Sequence, residues 1–320
     1  MIRKLTAIIA VLLFGSGAAA QDYPSRPIQI LVGYGPGGGT DIMARVLAGP
    51  LAKVLGQSVV VRNIPGAGGQ IAATTLLNEG TDGHAILAIN HPDLLMTVDA
   101  GHASYKAADF QVIIVDVKDP RVLLVANSSG IGSFGDFVAR AKKEPGKLSI
   151  SYAQGSAQEL FAQWLVARLG VDVLLVPYKG GAPAANAMLS GEVTANLGDD
   201  FARYSLRDRV KALFVASQDR SPRWPEAETL TAALEPFGVK ASSPNFLARY
   251  GIYVVPSAFK LNDPAKYEKL QKALLQARQD PQFQEYLAKN ELQDLSIGKR
   301  GEDFEAAFAA DMAELRKLNR

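Results

Sequence analysis

Cysteine is absent from the 320-residue sequence, and histidine occurs only three times. Without cysteine the chain can form no disulfide, no thiolate nucleophile and no lipid-anchoring cysteine. His84, His91 and His102 stand at spacings of 7 and 11 residues, which is not a pattern of metal ligands on one helix. The motifs G-x-S-x-G and H-E-x-x-H are also missing. We therefore expect no metal, no cofactor and no enzymatic activity.

Long hydrophobic runs are scarce as well. The ten apolar residues Leu5–Phe14 are about half of what a membrane-spanning helix needs, and no later stretch comes closer. They follow two basic residues and precede an A-x-A site at Ala18–Ala20, which is the arrangement of a secretory signal peptide. We expect cleavage between Ala20 and Gln21, so that residues 1–20 are removed and the product is exported. A short N-terminal membrane anchor is the alternative.

The chain also lacks an excess of charge of either sign. It holds 34 Lys+Arg against 32 Asp+Glu, and the predicted signal peptide contains Arg3 and Lys4 but no acidic residue. Removing those two basic residues from the 34 leaves 32 basic and 32 acidic residues in the mature chain. The net charge therefore indicates neither nucleic acid nor an anionic membrane as a partner. A charged ligand must be selected by local groups.

Short β-rich runs alternate with amphipathic segments, which is typical of crossover helices on a parallel sheet. Ile28–Val32 is a predicted strand, and a helix follows over residues 40–55, with Pro50 inside it and Gly56 after it. A second series of strands starts at Val122–Ala126. We expect an α/β fold of two lobes, each with a mixed, mostly parallel sheet flanked by helices. The predicted bounds are 21–121 plus 246–320 for lobe 1 and 122–245 for lobe 2.

The richest local signal is the glycine loop Gly33–Asp41 (GYGPGGGTD), between a strand and a helix. Free backbone N–H groups and the positive end of a helix dipole would meet there, which favours an anion. A dinucleotide site is disfavoured, because the next strand ends at Val61–Asn63 without an acid and Pro36 occupies the turn. A phosphate loop would need lysine where Thr40 stands. A tight turn with Thr40 as N-cap and a carboxylate site both stay open.

Seven short motifs stand in order along the chain and together resemble one family. They are Tyr23–Pro27, Pro36–Asp41, Leu55–Gln57, Pro65–Gly69, Asp82–Gly83, Pro145–Leu148 and Val176–Gly180. The sequence is similar to the substrate-binding proteins of tripartite tricarboxylate transporters, the Bug or TctC-like family, over nearly the whole mature chain. The resemblance implies a periplasmic Venus flytrap protein. Its cleft would bind a small organic ligand, commonly a carboxylate, and pass it to the membrane subunits of a transporter. We expect a monomer.

The resemblance also implies which residues border the ligand. The loop around Gly155 is shorter than is usual in the family, and Glu159 stands where the family has histidine. A glutamate that faced the cleft would repel an anion, so a monocarboxylate, a neutral compound and a cationic compound all stay open as ligands. The predicted ligand-binding residues are Tyr34, Gly37, Gly38, Gly39, Thr40, Asp41, Asn90, His91, Gln154, Gly155, Ser156, Ala157 and Asp199.

Two charged residues near these positions are assigned to the surface. We expect Asp200 to be solvated and Arg249 to form a surface salt bridge, with a role as counter-charge to the ligand as the alternative for Arg249.

Two other functions stay open at this point. One is an exported solute sensor that signals to a receptor. The other is a periplasmic hydrolase, which would require Ser156, His91 and Asp199 to assemble in space as a catalytic triad.

Overall fold

The computed structural model describes residues 23–101 and 103–318, so the predicted signal peptide lies outside the described residues. The strands in these ranges are β1 (Ile28–Val32), β2 (Val59–Asn63), β3 (Ala85–His91), β4 (Phe110–Asp119), β5 (Arg121–Ala126), β6 (Ser149–Ala153), β7 (Leu174–Tyr178), β8 (Ala195–Asp199), β9 (Val210–Val215), β10 (Glu228–Thr229), β11 (Arg249–Pro256) and β12 (Ser296–Arg300). The α-helices are α1 (Gly39–Leu55), α2 (Gln70–Glu79), α3 (Asp93–Asp99), α4 (Phe134–Lys143), α5 (Ala157–Leu169), α6 (Gly181–Leu189), α7 (Asp200–Tyr204), α8 (Leu230–Leu234), α9 (Ser257–Asn262), α10 (Pro264–Ala277), α11 (Pro281–Lys289) and α12 (Glu305–Leu318). None of the helices in these ranges combines the length and the apolar character needed to cross a membrane.

The strands form two six-stranded sheets, in the orders β12-β4-β11-β3-β1-β2 and β10-β9-β5-β8-β6-β7. In the first sheet β1, β2, β3 and β4 share one direction, while β11 and β12 oppose them. In the second sheet only β5 opposes the other strands. Helices flank both sheets. The predicted α/β class with mixed, mostly parallel sheets is confirmed.

Helix α1 illustrates how the sequence builds the first lobe. Met43, Leu47 and Leu51 recur every fourth residue and are buried in the core beside β1, because residues four apart lie on one helix face. Gly56 follows the helix at φ 65° and donates its N–H to the carbonyl oxygen of Ala52, which confirms it as the C′ residue. The helix begins at Gly39 with Gly38 as N-cap, so the alternative in which Thr40 is the N-cap is wrong.

The chain passes between the sheets at positions where strands end. Strand β4, which the sequence pattern did not predict, ends at Asp119, and β5 begins in the other sheet at Arg121 after the single residue Pro120. The chain returns to the first sheet at Arg249, the first residue of β11. The crossovers therefore bring charged strand ends from both sheets to one place.

Candidate ligand-binding cleft

A cleft lies where strands of both sheets end and helices begin. Strand β1 leads through the glycine loop into α1, and β6 leads through a short loop into α5. Ligands of open α/β sheets bind in such crevices at the carboxyl ends of strands. The cavity between the walls measures about 30 Å³, space for about one or two water molecules. The walls are therefore closed on each other. The lining comprises Tyr34, Gly38, Gly39, Thr40, Asn90, Asp93, Arg121, Ala153, Ser156, Gln158, Gly181, Asp199, Ala202 and Arg203.

The first wall is the start of α1. The Thr40 hydroxyl donates to the Asn90 side-chain oxygen at 2.9 Å and accepts from Arg249 Nη1 at 3.1 Å. Gly38, the N-cap, supplies no side-chain cap. The first N–H groups of a helix have no intrahelical partner. This helix start therefore keeps backbone donors that no N-cap side chain covers.

The second wall is the start of α5, and its backbone is covered by the protein's own groups. The Ser156 hydroxyl accepts from Gln158 N at 3.2 Å, and the Glu159 carboxylate accepts from Gly155 N at 2.9 Å. Glu159 therefore stabilises the loop that precedes its own helix, and it does not line the cavity. The Gln158 side chain accepts from Ala153 N and donates to Asp199 Oδ1 at 3.2 Å.

Two buried ion pairs lie beneath the cavity. The strand register places Arg121 opposite Asp199 between β5 and β8, and Arg249 opposite Asp119 between β11 and β4. Arg121 Nη1 bonds to Asp199, and Arg249 Nη2 lies 2.5 Å from Asp119 Oδ2. Arg249 is only 1% exposed, so the expected surface salt bridge is wrong. In each pair, one strand ends where its antiparallel partner begins, at β4 and β11 in the first sheet and at β8 and β5 in the second. The charged residues at these strand ends therefore lie together.

The two carboxylates respond differently to their surroundings. Burial raises the pKa of Asp119 to about 6, against the opposing charge of Arg249 and with the help of the Asp199 carboxylate. Burial acts on Asp199 as well, but the guanidinium groups of Arg121, Arg249 and Arg203 outweigh it and lower its pKa below the ordinary value. Asp199 is therefore ionised at neutral pH, whereas the pKa of Asp119 lies only slightly below neutral pH.

The neighbouring Asp200 is fully buried, so the expectation that it is solvated is wrong. Its carboxylate accepts from Arg223, from the Ser221 hydroxyl and from the Trp224 indole. Arg223 also pairs with Asp294 at 2.7 Å. This network ties the second sheet to the segment before β12 and takes no part in lining the cavity.

One buried donor in the cavity wall has no partner. Arg121 is 1% exposed; its Nε donates to the Leu247 carbonyl oxygen at 2.7 Å, while Nη2 makes no hydrogen bond. An unpaired buried donor is costly, so this atom is available to an acceptor group that enters the cavity. Within residues 23–101 and 103–318, no cluster of three or more His, Asp or Glu is placed to hold a metal ion.

Seven of the thirteen predicted ligand-binding residues line the cavity, namely Tyr34, Gly38, Gly39, Thr40, Asn90, Ser156 and Asp199. The Asp41 carboxylate turns away to accept from Gly37 N and Asn63. The His91 ring stacks on Phe308 at 4.0 Å between centroids. Gly37, Asp41, His91, Gln154, Gly155 and Ala157 are thus outside the lining, and their contact with a ligand stays a prediction.

The arrangement required for a hydrolase is not formed. The Ser156 hydroxyl donates to the Ala153 carbonyl oxygen at 2.7 Å. Asp199 is paired with Arg121, and His91 packs on Phe308. The three predicted triad residues therefore have other partners.

Sequence reasoning missed several polar residues of the lining. Arg121 directly precedes a predicted strand, and Asp93 follows Asn90 by three residues at the end of another. Both are nearly fully buried. Polar residues that flank apolar strands were the available signal, because the end of one strand and the start of an antiparallel neighbour meet at the same edge of a sheet.

Two sheets flanked by helices around a cleft of this kind define a two-lobed solute-binding protein of the Venus flytrap class. Residues 43–312 match the sequence model of the TctC family, described as "Tripartite tricarboxylate transporter family receptor". The chain belongs to this family.

Known proteins of the family and of the fold are similar over most of their length. Protein BugT of Bordetella pertussis is 34% identical over 71% of this chain and 73% of that protein. A UPF0065 protein of Cupriavidus necator is 30% identical over 99% and 93%. The structure of the periplasmic binding protein BugD superposes with a TM-score of 0.80 at 28% identity, covering 92% of this chain and 97% of BugD. MatC from Rhodopseudomonas palustris, solved with bound malate, has a TM-score of 0.80 over 93% and 100% at 21% identity, which shows the shared fold.

Proposed function

We propose that this protein is a periplasmic solute-binding protein. It captures a small organic ligand that carries a carboxylate, and it delivers that ligand to the membrane subunits of a tripartite transporter. Its family and the periplasmic relative BugD support this assignment. The observation that carries it is the unpartnered Arg121 Nη2 in the wall of a cavity that the uncapped start of α1 also lines.

The proposed mechanism is closure of two lobes on the ligand. Lobe 1 would comprise residues 21–121 plus 246–320, and lobe 2 residues 122–245. A ligand that contacts both walls binds the closed form better than the open form and therefore shifts the population. A micromolar affinity corresponds to about 8 kcal/mol, which charge-assisted hydrogen bonds and burial in a cleft can supply. The protein acts as a monomer that does not alter its ligand.

Removal of the Arg121 guanidinium tests this function. A thermal-shift panel of carboxylates, amino acids and neutral compounds first identifies a ligand. Calorimetry then compares the wild type with Arg121→Met. We expect at least about a tenfold loss of affinity, because a hydrogen bond to a charged group contributes about 1.5–3 kcal/mol.

Arg278→Met is the matched control. Arg278 is also a buried arginine paired with a buried aspartate, Asp116, but it does not line the cavity. This variant is expected to unfold more easily and to keep its affinity. Equal losses of affinity in the two variants would contradict the assignment of the cleft.

Delivery is tested by uptake of the labelled ligand in cells that contain the transporter's membrane subunits. Uptake should depend on this protein and should fail with Arg121→Met. Uptake that is unchanged when the protein is absent would contradict a role in transport.

A further inference from the structure

Asp93 places a carboxylate of the first lobe at the start of a helix in the second lobe. The side chain is 1% exposed. Its Oδ1 accepts from the backbone N–H of Ala157, the first residue of the 13-residue helix α5, at 2.9 Å. Its Oδ2 accepts from the Tyr34 hydroxyl at 2.8 Å and from Asn90 Nδ2 at 3.2 Å. The carboxylate is thus held by three donors, one of them across the cleft.

This contact occupies the place where a helix start would bind an anion. Uncovered N–H groups at a helix N-terminus attract carboxylates. At α5 the neighbouring N–H groups of Gly155 and Gln158 are already bonded to Glu159 and Ser156, and Asp93 takes that of Ala157. The acceptor position at the α5 N-terminus is therefore filled by the protein itself, unlike the uncapped start of α1.

The charges around the cavity indicate how many anionic groups it can accept. The buried ionisable groups of the lining are balanced, with Arg121 and Arg203 against Asp93 and Asp199, and the adjoining Arg249–Asp119 pair is balanced as well. Arg121 Nη2 is a buried donor of this lining without a partner. This single donor in the cavity wall can bind one acceptor group of a ligand. A second carboxylate would meet Asp93, and like charges at close range repel.

We propose that Asp93 is a built-in substitute for a second ligand carboxylate, an inference that rests on the proposed function. It restricts the cleft to ligands with a single carboxylate, either monocarboxylates or zwitterions. The ligand carboxylate binds Arg121 and the start of α1. The rest of the ligand approaches α5 without negative charge and can donate a hydrogen bond to Asp93.

Formate tests whether the α5 N-terminus is an anion position, without knowledge of the natural ligand. In Asp93→Ala the position is vacated, so formate should raise the melting temperature by about 2–4 °C above that in chloride at equal ionic strength. Formate can also bind Arg121 in all three proteins, so the rise in Asp93→Ala should exceed by this amount the rise in the wild type and in Asp93→Asn, which keeps the volume of the side chain. Equal rises in all three proteins, or none in Asp93→Ala, would overturn the proposal.

Chain-matched acids test the effect on selectivity. The probes are butyrate with succinate and hexanoate with adipate. The wild type should be stabilised more by the monocarboxylate of each pair, and Asp93→Ala should gain about tenfold in affinity for the dicarboxylates. A wild type that prefers the dicarboxylates and loses them in Asp93→Ala would overturn the inference, while leaving the binding function intact.

Failure of the proposed function has a different signature. In that case neither the wild type nor Asp93→Ala would bind any compound of the full panel. Formate would still raise the melting temperature of Asp93→Ala above that of the wild type, because this effect depends only on the α5 N-terminus.

Discussion

At the level of single residues, the Asp119–Arg249 pair shows why the cleft depends on charges that are distant in sequence. The two residues lie 130 positions apart and meet because β11 and β4 pair in register. Both are buried beneath the Thr40 and Asn90 side chains, to which Arg249 Nη1 also donates. Loss of one partner of a buried ion pair costs about 3–5 kcal/mol. Each partner therefore compensates the buried charge of the other, and Arg249 orients the first wall of the cleft through Thr40 and Asn90.

The titration of Asp119 predicts a pH dependence of ligand binding. Its folded-state pKa is about 6, above the unfolded value of about 3.9, so its contribution to stability is complete below pH ~3.9 and is lost as the pH rises through about 6. Protonation also removes a negative charge from the cleft. We expect the affinity for a fully ionised monocarboxylate to rise about threefold to tenfold from about pH 7.5 to about 5.5.

Calorimetry at several pH values checks this expectation. Asp119→Asn cannot titrate at this position and should show a flat profile over the same range. An affinity of the wild type that is constant, or that decreases toward acid pH, would contradict the role of Asp119.

Part of the site could be predicted from residues that are neighbours in sequence. The glycine loop indicated the start of α1, and Tyr34, Thr40 and Asn90 do line the cavity. The Arg249 pair could not be predicted, because its register depends on strands far apart in the chain. The burial of Asp200 depends likewise on Arg223, 23 positions away.

At the level of elements, two glycine loops form a contact between the lobes beside the cleft. Gly68 precedes α2, and Gly155 precedes α5. A Cβ atom on Gly68 would lie 2.4 Å from the Gly155 carbonyl oxygen. Gly68 also has φ 64°, a left-handed conformation that favours glycine. Close approach of the two backbones therefore requires the absence of a side chain here.

Gly68→Ala should weaken ligand binding by preventing full closure. Gly130→Ala is the matched control, because Gly130 has a similar φ of 70° but a Cβ atom there would meet no neighbouring group within 4 Å. Both variants bear the backbone cost of about 1–2 kcal/mol. Calorimetry should show about a tenfold loss of affinity for Gly68→Ala and none for Gly130→Ala. Equal affinities in the two variants would contradict the closure contact.

Elements with regular local patterns could be predicted, and those fixed by distant partners could not. Strand β1 follows the predicted bounds and helix α1 begins one residue before them, since their apolar spacing marks them. Strand β4 was missed because charged residues interrupt its apolar run. Its buried Asp116 is paired with Arg278 from the end of α10, which the local sequence does not show.

For the whole molecule, the contacts between the two lobes include three that join segments distant in the chain. Asp93 bonds to Ala157 at the cleft, and Gly68 packs on Gly155 beside it. Arg223 bridges to Asp294 on another side. The ordered family motifs allowed prediction of the two-lobed fold, but not of these contacts, because each joins segments that no single motif contains. A binding protein that closes on its ligand needs such contacts to be weak enough to break.

Small-angle X-ray scattering of the mature wild-type protein, with and without the ligand that the panel identifies, tests closure of the lobes most directly. We predict that the radius of gyration decreases at saturating ligand, because the ligand contacts both walls and favours the closed form. A radius of gyration that stays unchanged at saturating ligand would contradict this mechanism.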